Sequence, residues 1–187
     1  MRNRQKGFIL VFGFVGVICF IYYSFFSSTA ILNHVKQYKG YNLQIVQEKY
    51  PIELFIEPEW FSLEKEQTQK VNKVVYEKNH TKIILRSVIL REDQLMFDFT
   101  TDYDLPYLKG DFLYNGIFNP DGTYTTSPNM VEFELTNPMQ QPIVVGQRGS
   151  GPDSDFIFNI EKEQWQQIEQ GFTMRYFGMY LYEYEKK

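Results

Sequence analysis

Apolar and polar positions alternate over short stretches in most of the chain after residue 50. Ile52, Leu54 and Ile56 occupy every second position of one stretch, and Leu95 and Phe97 do so in another. A period of two predicts β-strands that bury one face. The candidate strands are 52–57, 71–76, 81–90, 95–100, 111–118, 131–135, 143–146, 156–160 and 172–185.

The pattern also predicts how some of these strands connect. Residues 81–90 are apolar on both faces at their centre, whereas residues 95–100 alternate strictly, which favours a hairpin between a central strand and a strand with one wet face. In residues 161–170, Trp165 and Ile168 are spaced as on a helix, and Gly171 ends it. We therefore expect an all-β, sandwich-like domain, either Ig-like or an open barrel, of about eight antiparallel strands with one short helix.

The start of the chain has a different pattern. Residues 7–26 contain no charged side chain, and twenty helical residues span roughly 30 Å, the thickness of the bilayer interior. Arg2, Arg4 and Lys6 precede this run, which predicts a cytoplasmic segment 1–6 and a signal-anchor transmembrane helix 7–27 with the remainder outside. Alternatively, the small residues 28–30 form a signal-peptidase site, and cleavage after Ala30 gives a secreted domain.

Residues 28–50 separate this span from the first alternating stretch. Ile31, Leu32, Val35 and Tyr38 have helical spacing, and Gly40 follows them. We interpret residues 28–50 as a juxtamembrane stalk and residues 51–187 as the extracytoplasmic β domain.

Charge and cysteine content exclude several function classes. After the apolar run the chain has 16 basic and 23 acidic residues, a net charge of −7. A domain this acidic is not expected to bind nucleic acid or anionic lipid headgroups. The single cysteine, Cys19, lies in the apolar run, so the β domain has no disulfide, thiol nucleophile or thiolate metal site.

Few residues in the β domain suggest catalytic or metal chemistry. His80 is its only histidine after the stalk and lies in a polar turn, where a catalytic role is not expected. Asp102 with Asp104, and Asp153 with Asp155, are weak candidates for oxygen ligands of a cation such as calcium. Aspartates in turns more often bond their own backbone. We therefore expect no catalytic constellation, no metal and no cofactor.

The last predicted strand carries a row of tyrosines on one face, next to Arg175. Rings exposed on a sheet would bind a glycan or a peptide through flat faces and polar edges, and Arg175 would stack on a ring. Alternatively, the row is the second face of a central strand that neighbouring elements cover. The row consists of Tyr176, Tyr180, Tyr182 and Tyr184.

The layout resembles that of small membrane-anchored extracytoplasmic β-domain proteins of Gram-positive bacteria. It shares a basic N-terminus, one span, and a cysteine-free, aromatic-rich β domain that ends in a tyrosine-rich strand. The resemblance implies a location in the cell envelope. We expect a non-enzymatic binding or accessory protein whose partner is another envelope protein or a cell-wall component. The alternatives are a carboxylate-dependent envelope hydrolase and a small membrane-bound inhibitor or immunity-type protein.

Overall fold

The computed structural model describes residues 22–24, 26–63, 67–126 and 133–187. Besides helical residues at 22–24 and 26, the helices described there are α1 (Ser28–Lys36) and α2 (Trp165–Ile168), with short 3-10 turns at Pro58–Trp60, Pro152–Ser154 and Lys162–Gln164. The strands are β1 (Tyr41–Ile56), β2 (Gln67–Lys78), β3 (Thr81–Arg91), β4 (Gln94–Tyr103), β5 (Lys109–Tyr114), β6 (Gly116–Phe118), β7 (Tyr124–Thr126), β8 (Phe133–Thr136), β9 (Pro142–Ile143), β10 (Arg148–Ser150), β11 (Phe156–Glu161) and β12 (Phe172–Lys186).

The predicted membrane span, residues 7–27, lies mostly outside the described residues, as does the predicted cytoplasmic segment 1–6. Near the end of the span, Tyr22, Tyr23 and Phe26 are helical. Within the described part of the chain, no helix combines the length and the apolar character needed to cross a bilayer. The spanning helix therefore stays a prediction from the sequence.

Residues 28–50 belong to the folded domain instead of forming the predicted stalk. Ser27 caps α1, and its Oγ accepts a hydrogen bond from the Ala30 amide at 3.2 Å. Ile31 and Val35 have the predicted helical spacing, but both are buried against aromatic side chains of β5, β6 and β12. β1 then begins at Tyr41, so the β structure starts before residue 51.

The strands form two antiparallel sheets and one separate hairpin. Sheet A has the order β1–β12–β8–β9, with β5 also paired to β12, and sheet B has the order β10–β11–β4–β3–β2. β6 and β7 form the hairpin. The buried faces of sheets A and B contribute to one apolar core. A mostly β, antiparallel, sandwich-like domain is thus confirmed.

Sheet A is built around β12. β1 pairs with it from end to end, with Ile56 opposite Phe172 and Tyr41 opposite Lys186. On the other edge of β12, β8 pairs with its first part and β5 with its last part. Its inward side chains belong to the core between the sheets (Phe172, Met174 and Tyr176) and then to the core under α1 (Tyr180, Tyr182 and Tyr184).

Phenylalanine rings fill the space between the two sheets. Phe97 of β4 stacks on Phe158 of β11 with ring centroids 5.1 Å apart and meets Phe172 of β12 edge-on at 5.3 Å. All three are fully buried. Burying each such ring contributes about 1.5–3 kcal/mol. Since residues 28–187 contain no cysteine, packing of this kind stabilises the domain without a disulfide.

Candidate functional site

The tyrosines of the predicted row are buried. Tyr176, Tyr180, Tyr182 and Tyr184 are 0 %, 8 %, 2 % and 3 % exposed. The Tyr176 ring, for example, stacks on Phe156 of sheet B at 4.4 Å. The row therefore lies on the second face of a central strand that neighbouring elements cover, as in the alternative interpretation. Its rings offer no exposed platform to a glycan or a peptide.

Two of these tyrosine hydroxyls are hydrogen-bonded inside the protein. The Tyr182 hydroxyl donates to the Gly116 carbonyl at 2.7 Å, and that of Tyr184 donates to the Pro106 carbonyl at 2.5 Å. The Tyr176 hydroxyl lies near the Asn115 side chain but makes no hydrogen bond of normal geometry among the described residues. Burial disfavours the phenolate, and it raises the pKa of all three tyrosines.

Arg175 lies on the opposite, outer face of sheet A. Its Nε is 2.9 Å from a carboxylate oxygen of Glu53 on β1, and its Nη1 is 3.5 Å from one of Glu134 on β8. The guanidinium carbon lies 5.7 Å from the centre of the Phe177 ring. Arg175 thus links three neighbouring strands.

The candidate cation ligands Asp102 and Asp104 stand at the end of β4. The Asp102 carboxylate accepts a hydrogen bond from the Tyr103 amide at 2.9 Å. The Asp104 backbone amide donates to the His80 carbonyl at 3.0 Å. Both aspartates are exposed. This end of β4 is thereby attached to the turn between β2 and β3.

The other candidate pair, Asp153 and Asp155, is engaged in protein contacts. Asp153 forms an ion pair with Lys36 of α1 at 3.2 Å. Asp155 accepts a hydrogen bond from the Thr100 hydroxyl at 2.7 Å and lies 3.7 Å from Arg86. Across the described residues, no three His, Cys, Asp or Glu side chains are grouped so that they could hold a metal ion.

A polar groove of about 710 Å³ lies on the outer face of sheet A. Cross-strand neighbours on β1, β12 and β5 line it, because opposed residues in a sheet share a face. One row of three is Asn42, Glu185 and Lys109, and the next is Gln44, Glu183 and Asp111. The Gln44 amide donates to the Glu183 carboxylate at 3.4 Å. We call these six side chains the sheet A groove.

The β2–β3 turn holds the Asp111 end of this groove. Asn79 and His80 are the two residues between paired Lys78 and Thr81, and their φ angles of 53° and 49° give a type I′ turn. The His80 Nδ1 atom is 2.7 Å from one Asp111 oxygen, and the Asn79 amide donates to the other at 2.6 Å. One carboxylate is thus fixed by two side chains.

The contact with Asp111 uses one ring nitrogen of His80 and leaves the other for a ligand. When Nδ1 carries the proton that faces Asp111, the neutral ring keeps Nε2 as an acceptor. The His80 side chain is 40 % exposed, so a ligand in solvent can reach it. The adjacent Thr81 hydroxyl is committed elsewhere, since it is buried, donates to the Asn79 carbonyl and accepts from the Leu113 amide.

The sequence pattern did not reveal the groove. Asn42 and Gln44 lie within the segment predicted as a stalk, although Tyr41, Leu43 and Ile45 alternate with them as in a strand. Their neighbours on β12 and β5 are far away in sequence, so no local motif joins them. The alternation over residues 41–45 was the available signal.

The groove and the His80–Asp111 pair make one polar surface with both donors and acceptors. Amides, carboxylates and an ammonium group can recognise hydroxyl, amide and cationic groups of a ligand. A search against models of protein families, curated proteins and solved structures found no match to this chain.

Proposed function

We propose that this chain is a non-enzymatic binding protein of the cell envelope, anchored by one membrane span. Its β domain lies outside the cytoplasmic membrane and binds a polar ligand in the sheet A groove. The ligand is a cell-wall component or a polar surface of another envelope protein. The observation that supports this most is the groove itself, in which six polar side chains from three paired strands share one face.

The start of the chain supports the proposed location of the β domain outside the membrane. An uncharged run of twenty residues follows Arg2, Arg4 and Lys6, which favours an outward-facing domain. Cleavage after Ala30 would remove the cap of α1 and the Ser28 hydroxyl, which accepts a hydrogen bond from the Leu105 amide at 3.1 Å. Because these contacts stabilise the domain, we favour a retained anchor. The resemblance to Gram-positive envelope proteins agrees with this location.

The chemistry of the groove favours a polar ligand. Asp111, Glu183 and Glu185 accept hydrogen bonds, Asn42 and Gln44 both donate and accept, and Lys109 donates. Paired strands position these groups rigidly, which lowers the entropic cost of binding. Sugar hydroxyls, acetamido groups and amino groups of cell-wall polymers have the complementary chemistry.

An envelope hydrolase is the second candidate, and the His80–Asp111 pair favours it. A histidine held by a carboxylate can act as a general base toward water, and Glu183 could supply a second carboxylate. This hypothesis requires turnover of a cell-wall glycan or ester. It also requires that turnover to be lost when Asp111 is replaced by asparagine.

The test uses the full chain in nanodiscs, incubated with isolated cell-wall fragments and with detergent-solubilised envelope proteins. We expect retention on one of these without turnover. We also expect Glu183→Gln to weaken retention about tenfold, as loss of a charged hydrogen bond does. The matched control is Glu53→Gln, on the same outer face but outside the groove, which should retain wild-type affinity.

Three other outcomes would contradict non-enzymatic binding in the sheet A groove. Equal retention of both variants would show that the groove is not the binding surface. Turnover lost in Asp111→Asn would replace the binding function by the hydrolase. Copurification with a single protein, insensitive to Glu183→Gln and without affinity for glycans, would favour the inhibitor or immunity-type alternative.

A further inference from the structure

One end of the domain gathers the segments that lie next to the apolar run. Phe26, at the end of that run, has its ring 4.5 Å from the ring of Tyr107 in the β4–β5 loop. In the same loop, the Leu108 carbonyl accepts a hydrogen bond from the Lys186 amide at 2.7 Å. The loop and the end of β12 therefore meet where the predicted span leaves the domain.

Large apolar side chains are exposed at this end. Leu108 is 65 % exposed, although Leu105 in the same loop is buried. In the helical residues at the end of the run, Tyr22, Tyr23 and Phe26 are 62 %, 75 % and 42 % exposed, and the Tyr22 and Phe26 rings stack with centroids 5.8 Å apart. A single exposed leucine is common, but Leu108 directly follows Tyr107, whose ring contacts Phe26, so exposed apolar side chains of the loop and of the run lie at the same end of the domain and favour an apolar contact. Tyrosine, with its apolar ring and polar hydroxyl, is typical of the membrane interface.

Lysines lie on the segments that meet at this end. The Lys187 amide donates to the Gly40 carbonyl at 2.9 Å, and Lys39 directly precedes Gly40. The Lys186 ammonium contacts the Tyr107 hydroxyl and lies 3.6 Å from the centre of its ring. Lys109 follows Leu108 and is exposed.

The local charge differs from that of the whole domain. The segments that meet here, residues 39–40, 104–109 and 185–187, carry four lysines and two acidic side chains, Asp104 and Glu185. The side chains of these segments are therefore net positive, although the chain after the apolar run has a net charge of −7. Each lysine at an anionic membrane surface strengthens association about fivefold.

We propose that this end of the domain rests on the outer leaflet of a bilayer that contains anionic lipid, with Leu108 inserted at the boundary of headgroups and acyl chains. We call it the basal face, made of Tyr22, Tyr23, Phe26, Leu108 and lysines 39, 109, 186 and 187. The proposal rests on the membrane anchoring of the proposed function. The predicted juxtamembrane stalk would hold the domain away from the bilayer, whereas this proposal places the domain on the bilayer in a fixed orientation.

This orientation limits the ligands of the sheet A groove to those that lie close to the membrane surface. Lys109 belongs to both surfaces, and Glu185 of the groove directly precedes Lys186 of the basal face. One end of the groove is therefore at the level of the headgroups. A ligand bound there lies next to the membrane, as a polymer attached to a lipid does.

The test places a fluorescent label in the full chain. With Cys19→Ser as background, Leu108→Cys carries an environment-sensitive fluorophore, and the protein is reconstituted in vesicles of phosphatidylcholine with or without phosphatidylglycerol. The control is Met139→Cys, 75 % exposed in the turn between β8 and β9. Nitroxide lipids in both leaflets report contact with the interface, and flotation with the vesicles reports anchoring.

We expect strong quenching and a blue shift at position 108 with phosphatidylglycerol, and neither at position 139. Replacing Lys186 and Lys187 by glutamine should reduce the quenching at position 108. A chain that floats with the vesicles but is quenched equally at both positions would overturn the basal face and leave the anchoring intact. A chain that does not float would overturn both. The proposal would also be overturned if position 108 contacts another copy of the chain, both with and without phosphatidylglycerol in the vesicles.

Discussion

Replacing Tyr176 by phenylalanine should stabilise the protein. The Tyr176 side chain is completely buried, and its hydroxyl has no hydrogen-bond partner among the described residues. The substitution keeps the ring and its stacking on Phe156 and Phe133, at 4.4 and 4.8 Å. An unpaired buried hydroxyl costs about 1–3 kcal/mol, so its removal should raise the free energy of unfolding by at least about 1 kcal/mol.

Tyr182→Phe is the matched control and should have the opposite effect. This tyrosine is buried on the same strand, but its hydroxyl donates to the Gly116 carbonyl at 2.7 Å. Removing the donor leaves that carbonyl without its partner, at a cost of about 1–2 kcal/mol. The two variants should therefore differ by about 2–5 kcal/mol.

Urea unfolding of the full chain in detergent, followed by tryptophan fluorescence, measures the difference. Both variants should share the wild-type dependence on urea, because neither changes the surface that unfolding exposes. If Tyr176→Phe is destabilised as much as Tyr182→Phe, the Tyr176 hydroxyl has a partner, and the packing around β12 described above is incorrect.

Three further predictions concern backbone geometry and ionisation. Gly171→Ala should destabilise the domain by more than about 2 kcal/mol, because φ is +79° and the added Cβ would lie 2.5 Å from the Ile56 carbonyl oxygen. The control Gly122→Ala, where φ is +82° but nothing lies within 4 Å of the added Cβ, should cost about 1 kcal/mol. Thermal unfolding measures both. His80→Gly removes the contact with Asp111 but relieves a left-handed φ of 49°, so the free energy of unfolding should change by less than about 1 kcal/mol. Ligand retention should fall in this variant. Glu92→Gly, also at a left-handed φ, is the control and should leave retention unchanged. Burial raises the pKa of three tyrosines of β12, so the unfolded chain loses these protons first as the pH rises above ~10. These three tyrosines alone should then lower stability by about 4 kcal/mol per pH unit, and other tyrosines whose pKa burial raises, Tyr103 and Tyr114 among them, add to the loss. Tyrosinate absorbance should appear together with unfolding, and ionisation without unfolding would contradict the burial.

Local patterns predicted the parts of the fold whose partners are close in sequence. The hairpin expected for residues 81–100 is β3 and β4, joined at Arg91 opposite Gln94. The helix expected for residues 161–170 is a 3-10 turn followed by α2, and its Ile168 is buried. In both cases the chain carries the signal within a few residues.

Long-range pairing determined the parts that the sequence did not predict. β1 begins at Tyr41 because β12, more than a hundred residues later, provides hydrogen-bond partners for it. α1 is buried because Tyr182 and Tyr184 of that same strand lie beneath it. A helical pattern beside an apolar run does not show whether the helix is solvated or packed.

The candidate site illustrates the same limit. The alternation of residues along the last strand showed that the four tyrosines share one face. Alternation alone does not show whether neighbouring elements cover that face. The groove combines Gln44, Asp111 and Glu183, which share a face only because three distant strands are in register. His80 was visible in the sequence, but its contact with Asp111 was not.

Photo-crosslinking in living cells tests the central claim most directly. A photoreactive residue at Gln44, in the groove, is compared with one at Met139, which is exposed in a turn. We predict adducts at position 44 with a cell-wall component or an envelope protein, reduced by Glu183→Gln, and none at position 139. Equal adducts at both positions, or adducts at position 44 with cytoplasmic proteins, would contradict an outward domain that binds through the sheet A groove.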